Sequence, residues 1–234
     1  MSGPGFPPLF QGLATAGADP FDVARSEADA GCDAGLVAYD ITLDRLRAAL
    51  VFAPEVSLRD AMIMLPICGI GFQNALGALA PPEVSVHLAW QGDIRVNGAV
   101  CGALKVAAAP HDADRAPNWL VVGLTLTLWS DAADAGTTPD QTTLFDEGCS
   151  EVDATHLLEA WVRHTLVWIN RWEEDGVKPV HDEWTGLVHG VSQQIDIDGS
   201  SGTFLGVDEN FGLLLQQDDQ TQIMSMMRNL TEVS

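Results

Sequence analysis

The stretch Leu88-Ala-Trp-Gln-Gly-Asp-Ile-Arg-Val-Asn-Gly98, continued by Cys101-Gly102-Ala-Leu104, decides the fold. Asn97-Gly98 joins two apolar runs between Val84 and Val106. Asn-Gly between strands is the strongest short-range hairpin signal, because both positions of a type I′ turn need positive φ. The pair therefore predicts a hairpin and pins its register.

Upstream of the hairpin, Ser57 with Asp60 three residues on predicts the start of a long helix through Met62, Leu65, Phe72, Leu76 and Leu79, bent at Pro66 and Gly69. Before it, Leu36–Tyr39 and Ala49–Phe52 read as two buried strands, with Asp40 to Arg47 between them. Asp19-Pro20 reads as the cap and first-turn proline of a short helix through Phe21, Ala24 and Ala28, ended by Gly31. Residues 1–18 form a loose leader on this reading.

Downstream, a strand from Trp119 to Leu124 continues to Trp129, and 130–143 is a small, polar surface loop. From Asp153 the chain turns helical, with Leu157, Leu158, Trp161, Thr165, Trp168, Ile169 and Trp172 at helical spacing, a stripe that reads as core. A second helical piece spans His181 to Val188. Short strands with Asp-rich turns fill 190–226, which predicts a small antiparallel barrel. The expected division is leader 1–18, main domain 19–189 and small C-terminal domain 190–234.

Composition narrows the function. The 234 residues carry 11 Lys plus Arg against 33 Asp plus Glu, a net charge of −22, which repels phosphate backbones and argues against DNA or general nucleic-acid binding. A hydrophobic fraction of 47% with seven Trp supplies a core, so the acidity does not imply disorder. Cys32, Cys68, Cys101 and Cys149 form no C-x-x-C pair, and free thiols fit a cytoplasmic protein. The amino terminus lacks a signal-peptide pattern and no uncharged apolar run reaches spanning length, so no membrane association is expected.

The six His are scattered: His87 stands alone in a strand, and His156 and His164 lie two helical turns apart, too far to share a metal, so no metal site is predicted. Phosphate-loop, hydrolase-elbow and zincin signatures do not occur. Glu173-Glu174-Asp175 reads as a solvated helix end.

The order of elements, with Leu88–Gly98, Cys101–Leu104, Val121-Val-Gly123-Leu-Thr-Leu and Gly206-Val-Asp-Glu-Asn-Phe-Gly-Leu-Leu-Leu215, resembles the biotin protein ligases and lipoate ligases. The resemblance covers about Asp19 to Met226. It implies an α+β fold, a mixed sheet with helices as in those ligases and the class II aminoacyl-tRNA synthetases, plus a small SH3-like C-terminal barrel. It also implies ATP with Mg and biotin, lipoate or an octanoate-like acid as ligands, an acyl-adenylate intermediate, and a lysine of an acceptor protein as the final partner.

Much of the family's chemistry is replaced here. Its Lys-Trp-Pro-Asn-Asp stands as Ala89-Trp90-Gln91-Gly92-Asp93, the lysine before Gly102 is Ala99, and the asparagine of the next strand is Thr127. The Arg- and Gly-rich loop is replaced by Asp40-Ile-Thr-Leu-Asp-Arg45-Leu-Arg47, which has no glycine to wrap an adenylate. Single oxyanion donors are worth about 3–4 kcal/mol of transition-state stabilisation, so losing several favours a divergent or non-catalytic member retaining a cleft for a small acid or adenylate. An active ATP-dependent acyl-protein ligase is the alternative.

The expected cleft is lined by Trp90, Asp93, Gly102 and Lys105 on the hairpin and Gly123 beyond it, faced by Arg45 and Arg47. Lys105 is the candidate catalytic replacement for the lost lysine. Strand alternation places Lys105 on the face of Cys101 and opposite Gly102.

Overall fold

The computed structural model describes residues 3–131 and 140–231. Most of the loop read at 130–143 and the last three residues lie outside them.

The predicted hairpin forms as β5 (Asp93–Val96) and β6 (Ala99–Ala109), with Asn97 and Gly98 at φ 49° and 96°. It belongs to a seven-stranded sheet ordered β1-β2-β3-β7-β6-β5-β4, with β1 (Gln11–Ala14), β2 (Leu36–Ile41), β3 (Arg45–Phe52), β4 (Val86–Leu88) and β7 (Trp119–Thr127). Only β1 pairs in parallel, with β2. The leader is therefore not loose throughout. Gln11–Ala14 has no alternating apolar pattern to announce a strand. Its place depends on a close approach by Gly35, where a Cβ would meet the Leu9 carbonyl oxygen at 2.3 Å.

The sheet has two unlike faces. One carries Val37, Leu46, Ala48, Leu50, Leu104, Val106, Leu120, Val122, Leu124 and Leu126, and forms the main core with α3 (Met64–Leu79) and α4 (Ala154–Asp175). Each Val or Leu so buried is worth roughly 1.5–3 kcal/mol. The other is paved with small residues, Ala38, Ala49, Ala107 and Gly123, so that α1 (Pro20–Asp29) lies close through Phe21, Ala24 and Ala28. Asp19 caps α1, its carboxylate accepting the Phe21 N–H at 2.8 Å.

The expected long helix is broken. Ser57 caps α2 (Leu58–Ala61), and α3 begins three residues later. The break puts Pro66 in the first turn of α3, where its missing N–H costs nothing. Gly69 and Gly71 lie within α3 and admit neighbours: a Cβ would meet Leu88 at 2.8 Å from Gly69 and Thr165 at 2.5 Å from Gly71. Residues 58–79 are apolar enough to cross a membrane by composition, yet most of them are buried inside the protein. The tryptophan stripe of α4 packs in the core as expected, Trp161 donating its indole N–H to the Cys68 carbonyl at 3.0 Å.

After α5 (Val177–Leu187) comes a separate antiparallel sheet, ordered β11-β10-β9-β8, of β8 (Gln194–Ile197), β9 (Ser200–Val207), β10 (Leu213–Gln217) and β11 (Gln220–Met224). Trp90 ties it to the large sheet: its indole N–H donates to the Phe211 carbonyl at 2.7 Å, and its own carbonyl accepts from Asn229 at 3.0 Å. Replacing Trp90 by Phe leaves the Phe211 carbonyl unsatisfied and should lower stability in urea denaturation by about 1–3 kcal/mol. Unchanged stability would show that this bond does not join the units.

Candidate functional site

The strand register sets one row of side chains on the α1 face. Asp40 pairs with Arg47, Arg47 with Thr125, Thr125 with Ala103, and Ala103 with Asp93. The adjacent row brings Ala38, Ala49, Gly123 and Lys105 together. Lys105, Gly123, Arg47 and Asp93 thus share a face, half-buried except for buried Gly123. A Cβ on Gly123 would meet Phe21 at 2.6 Å and Lys105 at 3.3 Å, so glycine is required for α1 and Lys105 to sit where they do.

Arg47 and Lys105, two cations of this face, differ in their commitments. Arg47 donates through Nη2 to Asp40 at 2.5 Å and to the Gly17 carbonyl at 3.3 Å. The other Asp40 oxygen accepts the Gly17 N–H at 3.0 Å, so this ion pair clamps both backbone groups of Gly17. Lys105 Nζ stands 3.7 Å from the free oxygen of Asp19 and 4.2 Å from the centre of the Phe21 ring, with its side chain 41% exposed. At 3.7 Å the contact is electrostatic rather than a hydrogen bond, so the ammonium keeps its donors. The Asp93 carboxylate makes no hydrogen bond among the described residues.

The expected cleft is thereby corrected in two places. Trp90 is buried on the opposite side, against Leu65, Gly69 and Trp184, because its indole joins the two sheets. Gly102 belongs to the core face: a Cβ there would meet the Thr125 carbonyl oxygen at 2.3 Å and the Leu126 side chain at 3.1 Å, so glycine permits the approach of β7. Arg45 lies at the end of β3, exposed, 3.5 Å from Asp44. Gly92 makes the tight bend before Asp93, with φ 105° and its N–H donating to the Ala89 carbonyl at 3.0 Å.

The segment that replaces the Arg- and Gly-rich loop is a two-residue turn, Leu43-Asp44, closed by the Thr42 N–H to the Arg45 carbonyl at 2.9 Å. The Thr42 hydroxyl, donating at 2.7 Å, holds the Asp44 carboxyl below its usual range, helped by the backbone and by Arg45. The sequence marks Asp19 and Phe21 only as the cap and first turn of α1 and Asp40 only as the start of a connecting segment, and none of the three as a site residue. Reading 40–47 as a tight hairpin centred on Leu43-Asp44 would have set Asp40 opposite Arg47.

The model of the biotin/lipoate A/B protein ligase family matches residues 6–186. The chain belongs to that family. A domain family of unknown function, DUF4444, matches residues 193–232. Among solved structures, a biotin protein ligase-like protein of unknown function from Silicibacter sp. TM1040 shares 55% identity over 98% of this chain and 100% of that one, with a TM-score of 0.93. The biotin protein ligase of Aquifex aeolicus covers 92% of this chain and 96% of its own at 13% identity and a TM-score of 0.75. That of Leishmania major, in complex with biotinyl-5-AMP, covers 94% and 99% at 17% identity and a TM-score of 0.58. These two likenesses show the fold. No curated protein matches in sequence.

The thiols are poor nucleophiles for acyl transfer. Burial pushes the Cys101 thiol up to about 12, aided by nearby Cys149, Glu147 and Asp146, and burial also raises Cys68, Cys149 and Cys32. Only Cys32 is not fully buried. Native protein at about pH 8 should therefore label with a maleimide at Cys32 alone, read by mass spectrometry. Rapid labelling of Cys101 would show an open, reactive thiol on this face.

Proposed function

We propose that this chain is a non-ligating member of the biotin/lipoate ligase family that binds a small carboxylic acid on the α1 face. Lys105 receives the carboxylate, and Asp93 is free to accept an N–H from the ligand. The observation that carries this reading is the unequal state of the two cations: Arg47 is hydrogen-bonded to Asp40 and Gly17, whereas the Lys105 ammonium is only loosely held by Asp19.

One available cation suits one carboxylate. It does not suit ATP, whose phosphates would meet Asp19, Asp40 and Asp93 with Ala89 and Ala99 in place of the expected lysines and a two-residue turn in place of the enclosing loop. The residues present do not fit the nucleotide. The Aquifex relative binds biotin and ATP. The acid class for this chain is accordingly biotin-, lipoate- or octanoate-like, and an acceptor protein is not required. Four free cysteines fit a reducing cytoplasm.

Calorimetry with biotin, lipoate and octanoate tests the reading. One of them should bind without ATP, and Lys105→Ala should weaken it by about 1.5–3 kcal/mol, the range for a hydrogen bond to a charged group, while leaving the fold intact by circular dichroism. Binding unaffected by that substitution, or seen only with ATP present, would contradict it and favour an active acyl-protein ligase.

A further inference from the structure

The sheet carries a second charged cluster, at its β4 edge. His87 pairs directly with Arg95 across β4 and β5. Val188 bridges Leu88 in parallel, and the His189 N–H donates to the Leu88 carbonyl at 2.8 Å, which extends the edge by one more segment. The His87 and His189 rings meet edge to face with centroids 6.5 Å apart. His87 is thus not alone, as its sequence surroundings implied.

Arg95 is unusual in this acidic protein. Of the 11 Lys and Arg, only Arg95, Arg115 and Arg163 lack a carboxylate within ion-pair distance among the described residues. Arg115 and Arg163 are exposed, whereas Arg95 is half-buried. Its Nη1 donates to the Gly98 carbonyl at 2.7 Å, and its Nε is buried with no hydrogen-bond partner among the described residues. A guanidinium with its Nε shielded from water and no counter-charge within ion-pair distance is left under-satisfied, and a bound anion would supply both the charge and the acceptors.

The surroundings are otherwise uncompensated. On β5, Asp93 lies two residues along, beyond ion-pair distance. From β6, the residue opposite Arg95 is Val100. Near the hairpin tip, Glu147 is already engaged, accepting from Thr142 at 2.6 Å and from Asn97 at 2.7 Å. Burial, then Arg95 and His87, hold the His189 imidazole below its ordinary pKa, and no carboxylate pulls it the other way.

We propose that His87, Arg95 and His189 form a binding site for the phosphate group of a small ligand. Arg95 supplies the permanent charge and the two imidazoles supply further N–H donors, a set that suits a tetrahedral dianion. The net charge of −22 disfavours a nucleic-acid backbone as its source. The cluster lies on β4, β5 and the segment after α5, apart from Lys105 on β6, and does not depend on the acid-binding reading. A bound dianion raises the pKa of both imidazoles, so binding takes up protons and strengthens as pH falls through the histidine range.

The probes are inorganic phosphate and sulfate, the latter doubly charged throughout, titrated calorimetrically at about pH 5.5 and about pH 8, with the histidine signals followed by NMR. Sulfate should saturate at the lower pH, bind at least about tenfold more weakly at the higher, and raise the titration midpoints of His87 and His189. Arg95→Gln should weaken binding at least about tenfold, and His189→Gln should remove most of the pH dependence, while the exposed-residue variant His156→Gln behaves as the parent. If Arg95→Gln does not fold, the His189→Gln titration and the parent's imidazole shifts decide. No saturable binding at about pH 5.5, or binding that moves neither imidazole, overturns the site.

Discussion

The ion pair between Asp40 and Arg47 is the interaction on which the α1 face depends. It exists because Leu43-Asp44 turns the chain in two residues and sets the two side chains opposite each other on β2 and β3. Through it both backbone groups of Gly17 are held, the loop before α1 is fixed, and Asp19 is delivered to cap the helix. One carboxylate of Asp19 then serves two neighbours, the Phe21 N–H by one oxygen and Lys105 by the other. A longer, glycine-rich connection would free Arg47 for a ligand and loosen that chain of contacts.

The same geometry holds the family's frame by packing alone. The central strands need Gly102 and Gly123 for close approach on opposite faces, at Thr125 and Leu126 in one case and at Phe21 and Lys105 in the other. Trp90 donates to the Phe211 carbonyl and so joins the large sheet to the C-terminal one. These are packing constraints, and they hold whether or not an adenylate is ever formed. Residues whose only task is to neutralise phosphate charge carry no such constraint, and alanine stands at 89 and 99.

Elements announced by strong local chemistry were legible in the sequence. Asn97-Gly98 specified its turn through positive φ, Asp19-Pro20 and Asp153 specified helix starts, and the spacing of Leu157, Trp161, Thr165 and Trp168 specified a buried helix face. Strand alternation already separated Lys105 from Gly102. What it could not supply was which face looks toward α1 and which toward the core, because small residues pave the first and both faces read as apolar. β1 escaped notice since four residues, QGLA, hold no pattern, and the break before α3 did because Met62-Ile63 continues the apolar run without a capping signal. The contact of His87 with His189 joins residues a hundred positions apart and has no local signature.

The central claim is that the cations of this face serve the fold rather than a nucleotide. Exchange of labelled pyrophosphate into ATP, measured with biotin, lipoate or octanoate present, tests it most directly because it reports acyl-adenylate formation without any acceptor protein. No acid-dependent exchange above the protein-free background is expected. Exchange at an ordinary enzymatic rate, roughly 1 per second or faster, would contradict it and show that other groups stabilise the phosphates.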